Sequence, residues 1–297
     1  EPYLYPLELT LGEDRVESYF AMRKFSAEPG EDGQLRLCLN GRPYFHNGVI
    51  DQGLWPDGLM TPPSDEAMIF DIRTAKDMGF GAIRKLAKVE PLRWYYHCDR
   101  LGMIVWQDMP CGGGKYGRGA KPPSAGLHLS DSRYAAFGRK DEMGRELYYT
   151  ELREMINALY NCPCIAVWTA FNEGWGQFDS KKVSSFIRRM DRSRTIDPAS
   201  GWHDQRFGVL RSYHVSGRSF VFTPDTLGRA VALTRFGGLI HRIEGHCESE
   251  KCIPGRRFDS ANSLAFALRG LYGGDIFPAV KDGLSAAFYS QLTDAGE

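Results

Sequence analysis

The sequence has no excess of charge of either sign and no long apolar run. Its 37 lysines and arginines balance 37 aspartates and glutamates over 297 residues. A balanced chain has no net field that would attract nucleic acid, an anionic membrane or an acidic polymer. No apolar run approaches the roughly 18 residues that a membrane span needs. We therefore expect no nucleic acid partner and no membrane partner, and any ligand must be recognised through local contacts.

The cysteines lack the spacing of a metal site. There are seven, an odd number, and none forms the Cys-x-x-Cys pair that is typical of zinc. The closest pair, Cys162 and Cys164, is separated by one residue. We expect reduced thiols in the core or on the surface, and no metal or other cofactor. The cysteines leave the cellular compartment open, as does an N-terminus without the features of a signal peptide.

Two kinds of pattern divide the chain. Residues 1–27 alternate in the manner of β-strands and precede the turn-rich "EPGEDG", which predicts the end of a β-domain. From residue 28 to residue 297, strand patterns alternate with helix patterns, which is typical of parallel β/α architecture. Eight strand candidates suggest a (β/α)₈ barrel, the TIM-barrel fold, with its active site at the C-terminal strand ends. They are residues 43–51, 81–86, 103–108, 164–172, 200–204, 209–215, 230–236 and 284–291, of which 200–204 is the weakest.

One strand candidate ends in a chemically informative way. The stretch "CIAVWTAFNEGWGQF" runs from apolar residues into Asn172, Glu173 and Trp175. A carboxylate at a strand end is a candidate acid or base, and the neighbouring ring and amide suit a sugar, which presents C–H faces and hydroxyls. A helix cap or a structural ion pair is the alternative interpretation of Glu173.

Polar residues recur at the ends of the other strand candidates. A single buried polar residue is usually only hydrogen-bonded structure, but recurrence at one end of a barrel indicates a site. The further candidates for substrate binding are Asp51, Arg84, Asp108, Trp202, Asp204 and His214. The glycine-rich stretch 111–126 would form a loop over the same face. Its use as a phosphate loop is a weaker alternative, because the strand-to-helix context is missing.

Five segments carry a resemblance to a known family. They are "NGVIDQGLWPDGLMTPPSDEAM", "KVEPLRWYYHCDRLGMIVWQDMP", "NCPCIAVWTAFNEGWGQFD", "DPASGWHD" and "GLSAAFYSQLTD". Together they resemble glycoside hydrolase family 2, the group of β-galactosidases, β-glucuronidases and β-mannosidases. The resemblance implies a TIM-barrel domain that hydrolyses terminal β-glycosides of carbohydrates with retention. It also implies that residues 1–27 are the last strands of an immunoglobulin-like domain.

The resemblance assigns roles to two positions. Asn172 and Glu173 match the pair that supplies the general acid/base. The nucleophilic carboxylate of the family lies in a segment of the form Glu-Phe-Gly-Gly, which reads "LTRFGG" here, so Arg235 occupies its place. A guanidinium cannot attack as a nucleophile, and a nearby cation lowers the pKa of a carboxyl group. Arg84, which would hold the nucleophile in the family, would then face another cation.

Two hypotheses follow from this substitution. The chain is either a hydrolase with an unusual nucleophile, for which Glu244 is a candidate, or an impaired member that binds or regulates. Leu86 stands where the family pattern commonly has histidine, which favours impairment. The resemblance further implies a fragment without its final helix, so we expect exposed apolar surface along residues 284–291 and 3–11. The preferred sugar and the oligomeric state are not indicated.

Overall fold

A computed structural model describes residues 2–117, 129–245 and 255–293. Part of the glycine-rich stretch 111–126 and both Cys247 and Cys252 lie outside the described residues. Within the described residues, the other five cysteines are free thiols.

Two small antiparallel sheets come first. Strands β1 (Tyr5–Leu11) and β2 (Asp14–Phe20) form a hairpin, and β3 (Phe25–Pro29), β4 (Leu35–Leu39) and β5 (Arg42–Pro43) form a three-stranded sheet. Phe25 and Leu37 from the second sheet pack against apolar residues near the N-terminal ends of the barrel strands. This sheet therefore covers the N-terminal end of the barrel, opposite the candidate site.

Eight parallel strands make up the main sheet. They are β6 (His46–Asp51), β7 (Ala82–Lys85), β8 (Ile104–Asp108), β9 (Ile165–Thr169), β10 (Thr195–Asp197), β11 (Leu210–Ser216), β12 (Ala230–Gly237) and β15 (Leu284–Ser290). The short strands β13 (Leu239–Ile240) and β14 (Arg256–Arg257) lie between β12 and β15 in the chain and, within the described residues, pair only with each other. The order β10-β9-β8-β7-β6-β15-β12-β11 closes nearly into a ring. Across the remaining seam between β10 and β11, Ser212 Oγ donates to Asp197 Oδ2 at 2.7 Å. The predicted TIM barrel is confirmed.

Within the described residues, the helices lie between successive strands of the barrel along the chain. They are α1 (Asp65–Asp77), α2 (Leu92–Leu101), α3 (Glu142–Leu159), α4 (Ser180–Met190), α5 (Ala261–Leu271) and α6 (Phe277–Asp282), with one π-helical turn at Tyr272–Ile276. Ser64 caps α1 by accepting from the Ala67 N–H, and left-handed Gly102 ends α2. Within the described residues, no helix is long and apolar enough to span a membrane.

The fifth barrel strand differs from the prediction. It is Thr195–Asp197, paired in parallel with β9, and the predicted strand 200–204 is a loop that follows it. Gly201 and His203 have φ angles of 87° and 54°, which extended backbone does not allow. The real strand was missed because three residues are too few to show an alternating pattern.

The expected exposure of the last strand was wrong. Leu284 and Phe288 of β15 are 2% and 0% exposed, since Ile276 and Ala279 from the preceding helical segment pack with Leu284. The hairpin, in contrast, exposes the apolar residues of β1, as expected.

Asp197 gives the fold a testable pH dependence. Burial raises the pKa of this carboxyl to about 6, and its Oδ1 atom has no hydrogen-bond partner. A raised folded-state pKa contributes stability below the unfolded value, near 4, that is lost as the pH rises through 6. We expect Asp197→Asn to be more stable than wild type by about 1–3 kcal/mol above pH 7, and the difference to vanish near pH 4. Urea unfolding across this pH range measures it.

Asp191 provides the matched control. It is also buried, but its pKa is lowered, because Arg194 and the Trp168 N–H outweigh the effect of burial. Asp191→Asn should therefore destabilise the fold at neutral pH. If Asp197→Asn also destabilised it there, the assignment of an unfavourable buried charge would be wrong.

Candidate active site

Glu173 lies in a backbone turn just beyond β9. Asn172 forms a bridge with Ser200, and the Glu173 N–H donates to the Ser200 carbonyl at 3.0 Å. Glu173 itself has φ 56°, a left-handed conformation that non-glycine residues adopt rarely and that often occurs at functional sites. The turn directs the residue to the C-terminal face of the barrel, as the sequence predicted.

Arg235 and His214 both contact the side chain of Glu173. The two residues are register partners on β12 and β11, where a bulge interrupts the pairing next to Tyr213. Arg235 Nη1 donates to Glu173 Oε1 at 2.6 Å, and His214 Nδ1 lies 3.3 Å from the same oxygen. About a quarter of the Glu173 side chain and a third of the Arg235 side chain remain exposed. The predicted encounter of Glu173 with Arg235 is thus present in the structure.

The ion pair fixes the charge of Glu173. Burial alone would raise its pKa, but His214 and Arg235 together lower it to about 2. Burial lowers the pKa of His214 to about 4, so this imidazole is neutral at pH 7 and Arg235 is the cation beside the carboxylate. Glu173 is therefore ionised at neutral pH and has no proton to donate.

Arg84 lies beneath this pair, fully buried on β7. Its Nε and Nη2 donate to the two oxygens of Asp108 at 3.0 and 2.8 Å, a bidentate ion pair. Nη2 also donates to Asn172 Oδ1 at 2.9 Å, and Nη1 donates to the Thr234 carbonyl at 2.9 Å. Asp108 balances the charge of Arg84 inside the barrel, so Arg84 does not depend on a nucleophilic carboxylate for a partner.

Two aromatic candidates border the site in different ways. Trp202 packs edge-on against His214, with ring centroids 5.5 Å apart. Trp175 is 43% exposed, and its indole N–H donates to the Gly114 carbonyl at 3.4 Å. Trp175 lies on the loop after β9, two positions from Glu173, and Trp202 lies on the loop after β10, against the imidazole that contacts the Glu173 carboxylate.

Two predicted acidic candidates form ion pairs with basic residues of the fold. Asp51 is buried and pairs with Lys85, which also contacts Glu90 at 2.7 Å. Asp204 pairs with Arg229 at 2.8 Å and with Arg211. No contact joins either carboxylate to Glu173 in the described residues, so a direct role in substrate binding stays a prediction.

Three contacts at the site were not foreseen. Ser200 Oγ donates to Thr234 Oγ1 at 2.8 Å and lies 3.2 Å from His214 Nε2. Tyr116, from the glycine-rich loop, donates its hydroxyl to the Glu173 carbonyl at 3.1 Å. Serine and threonine carry no distinctive sequence signal, whereas Tyr116 could have been found as the one aromatic residue in a glycine-rich loop. Glu244, the alternative nucleophile, lies exposed in a turn after β13.

The described residues contain no cluster of side chains that could hold a metal ion. What the site offers is a carboxylate, a cationic guanidinium, a neutral imidazole and aromatic surface at the mouth of a barrel. The fold and these groups together define an α/β-barrel protein whose candidate site is built from the loops after the strands.

The comparison with known families identifies the class more narrowly. Residues 35–218 match the family model described as glycosyl hydrolases family 2, TIM barrel domain. The chain belongs to this family.

Known relatives agree with that assignment. A β-galactosidase of Lactococcus lactis is 35% identical over 210 residues, which cover 67% of this chain and 18% of that protein. A putative β-glucuronidase of Formosa agariphila is 25% identical over 167 residues, covering 52% and 16%. A β-galacturonidase structure from Eisenbergiella tayi, bound to galacturonate, superposes with a TM-score of 0.68 at 20% identity, covering 98% of this chain and 50% of that one. The chain thus spans less than a fifth of these curated relatives' length.

Proposed function

We propose that this barrel is an O-glycosyl hydrolase domain by descent, which binds the terminal sugar of a β-glycoside but does not turn it over. Family membership and the relatives support a carbohydrate ligand. The observation that carries the impairment is the 2.6 Å ion pair between Arg235 and Glu173. It stands where a retaining glycosidase needs two carboxyl groups about 5–5.5 Å apart.

The ion pair removes both halves of the retaining mechanism. The attacking group must form an ester with the anomeric carbon, and a guanidinium cannot do so. The general acid must be protonated when substrate binds, whereas Glu173, with a pKa of about 2, is ionised. His214 is neutral and adds no compensating charge. Sugar hydroxyls can still be bound by Glu173, Arg235 and Trp202 at the barrel mouth.

The alternative is an active hydrolase with a displaced nucleophile. Glu244 is the candidate that the sequence offers, on the loop that follows β12. It lies exposed in a turn, and among the described residues no ion pair or hydrogen bond joins it to the Glu173 carboxylate. The ion pair therefore favours the impaired form.

Binding and hydrolysis assays on the unmodified chain test the proposal. Isothermal titration calorimetry with methyl β-galactoside, β-glucuronide and β-mannoside is expected to show binding of at least one of them. The 4-nitrophenyl glycosides of the same sugars are expected to show no hydrolysis above the buffer rate. Cleavage with retention that is lost in Glu244→Gln, but kept in Arg235→Ala, would contradict the proposal and make Glu244 the nucleophile.

A further inference from the structure

Trp175 is unusual among the tryptophans of this protein. All six lie within the described residues, and Trp175 is the exposed one, at 43%. It follows Glu173 by two positions, on the same loop after β9. A single exposed apolar side chain is ordinary by itself, so the meaning of this one depends on how its ring is held.

The exposed position of Trp175 is fixed by the backbone conformation of its loop. Glu173, Gly174 and Gly176 have φ angles of 56°, 69° and 68°, so the backbone on both sides of the indole is held in left-handed turns. The Gly176 N–H donates to the Phe137 carbonyl at 3.0 Å. Because a side chain at Gly176 would collide with the Gly112 carbonyl, this close contact requires glycine.

Residues of the glycine-rich loop contact the indole ring of Trp175. The Gly114 carbonyl accepts from the Trp175 N–H, and Gly112 lies against the benzene edge of the ring, where an added Cβ would be 3.4 Å away. Gly114 is in turn fixed by its N–H bond to the Gly138 carbonyl at 2.7 Å. The ring is therefore held at one edge and at its nitrogen, while a large part of its surface stays open.

The same loop contacts Glu173. Tyr116 donates its hydroxyl to the Glu173 carbonyl at 3.1 Å, so one segment, residues 111–117, contacts both the acid/base residue and the indole. In a retaining site the acid/base acts on the glycosidic oxygen, which is the side of the leaving group. Because the segment that contacts Glu173 also holds the indole, the ring is placed for the leaving group rather than for the terminal sugar.

We propose that Trp175, supported by residues 111–117, is a stacking platform for the sugar that follows the glycosidic bond. This inference rests on the proposed function and narrows its ligand class. The chain prefers β-linked disaccharides or longer β-linked chains over glycosides of small alcohols, because a second pyranose ring offers C–H groups to the indole face.

Calorimetry with matched ligand pairs tests the platform. The pairs are methyl β-galactoside with lactose, and methyl β-glucuronide with cellobiouronic acid. In wild type the disaccharide of the pair that binds is expected to have about a three- to tenfold lower Kd than the methyl glycoside. In Trp175→Ala the ratio of the two Kd values should move to about one, because the disaccharide loses the ring contact that the methyl glycoside never makes. Trp175→Phe, which keeps a flat ring, should retain part of the preference.

Phe266→Ala provides the control. Phe266 is 79% exposed on α5, away from the loop after β9, and its removal should leave the ratio of Kd values unaltered. A wild-type ratio of one, or a preference for the disaccharide that persists in Trp175→Ala, would overturn the platform while methyl glycoside binding still upheld the proposed function. If neither methyl glycoside nor disaccharide bound, the proposed function and the platform would both be overturned.

Discussion

Arg235→Glu is expected to gain hydrolysis of an aryl β-glycoside by at least about a thousandfold over the unmodified chain. The magnitude follows from what single catalytic groups contribute, about 10²–10⁴ for an acid/base and more for a nucleophile that acts with it. The substitution supplies the attacking carboxylate. It also replaces a cation by an anion beside Glu173, which raises the pKa of Glu173 and restores its proton.

Arg235→Gln separates these two effects. Glutamine has the shape of glutamate and removes the cation, so the pKa of Glu173 should rise, but it cannot attack the sugar. We expect Arg235→Gln to remain as inactive as the unmodified chain, and Arg235→Glu with Glu173→Gln to lose most of the gain for poor leaving groups. Initial rates with 4-nitrophenyl and alkyl glycosides distinguish these variants.

Recovery in Arg235→Glu should be incomplete. Leu86 follows β7 at a position where the family pattern commonly has histidine, and in this structure it packs against the apolar core. If Arg235→Glu and Arg235→Gln were equally inactive while both still bound methyl glycosides, the identity of residue 235 would not be what limits turnover. The missing contacts would then limit it.

The second large effect concerns stability. Asp108→Ala should lower the free energy of unfolding by about 3–5 kcal/mol, because it leaves the guanidinium of Arg84 buried without its partner. Both side chains are at most 1% exposed, and the pair is bidentate. Arg84→Met combined with Asp108→Leu should recover most of the loss, since removing both charges leaves neither unpaired. Urea unfolding at pH 7 gives the three values.

An exposed ion pair serves as the comparison. Arg93 and Asp65 join α2 to α1 at 2.9 Å, and the Arg93 side chain is 69% exposed. Arg93→Ala should change the free energy of unfolding by no more than about 1 kcal/mol. A similar loss in Arg93→Ala and Asp108→Ala would show that burial of the Arg84 pair is not the cause.

The sequence could predict the fold and the central pair for a definite reason. Most barrel strands are continuous apolar runs that end in polar residues, and parallel strands bring those ends to one face. Glu173 and Arg235 follow two such runs, so their meeting could be inferred from strand ends alone. The short strand Thr195–Asp197 carried no comparable pattern and was assigned to the wrong residues.

Two predicted site residues have structural partners that the sequence does not reveal. Asp204 ends up against Arg229, which lies 25 positions along the chain, and a sequence without alignment gives no sign of such a partner. Asp51 is in the same situation with Lys85. A carboxylate at a strand end indicates either a ligand contact or a structural ion pair, and only the fold distinguishes them.

The pairing of Arg84 with Asp108 has an evolutionary consequence. Because the buried arginine is neutralised within the barrel, residue 235 could change from an acidic to a basic side chain without leaving an unpaired charge beneath it. Such a protein can lose its catalytic activity through a change at one codon, while selection for a stable fold continues. The same feature keeps the reverse change open, so a single substitution could restore part of an ancestral activity long after it was lost.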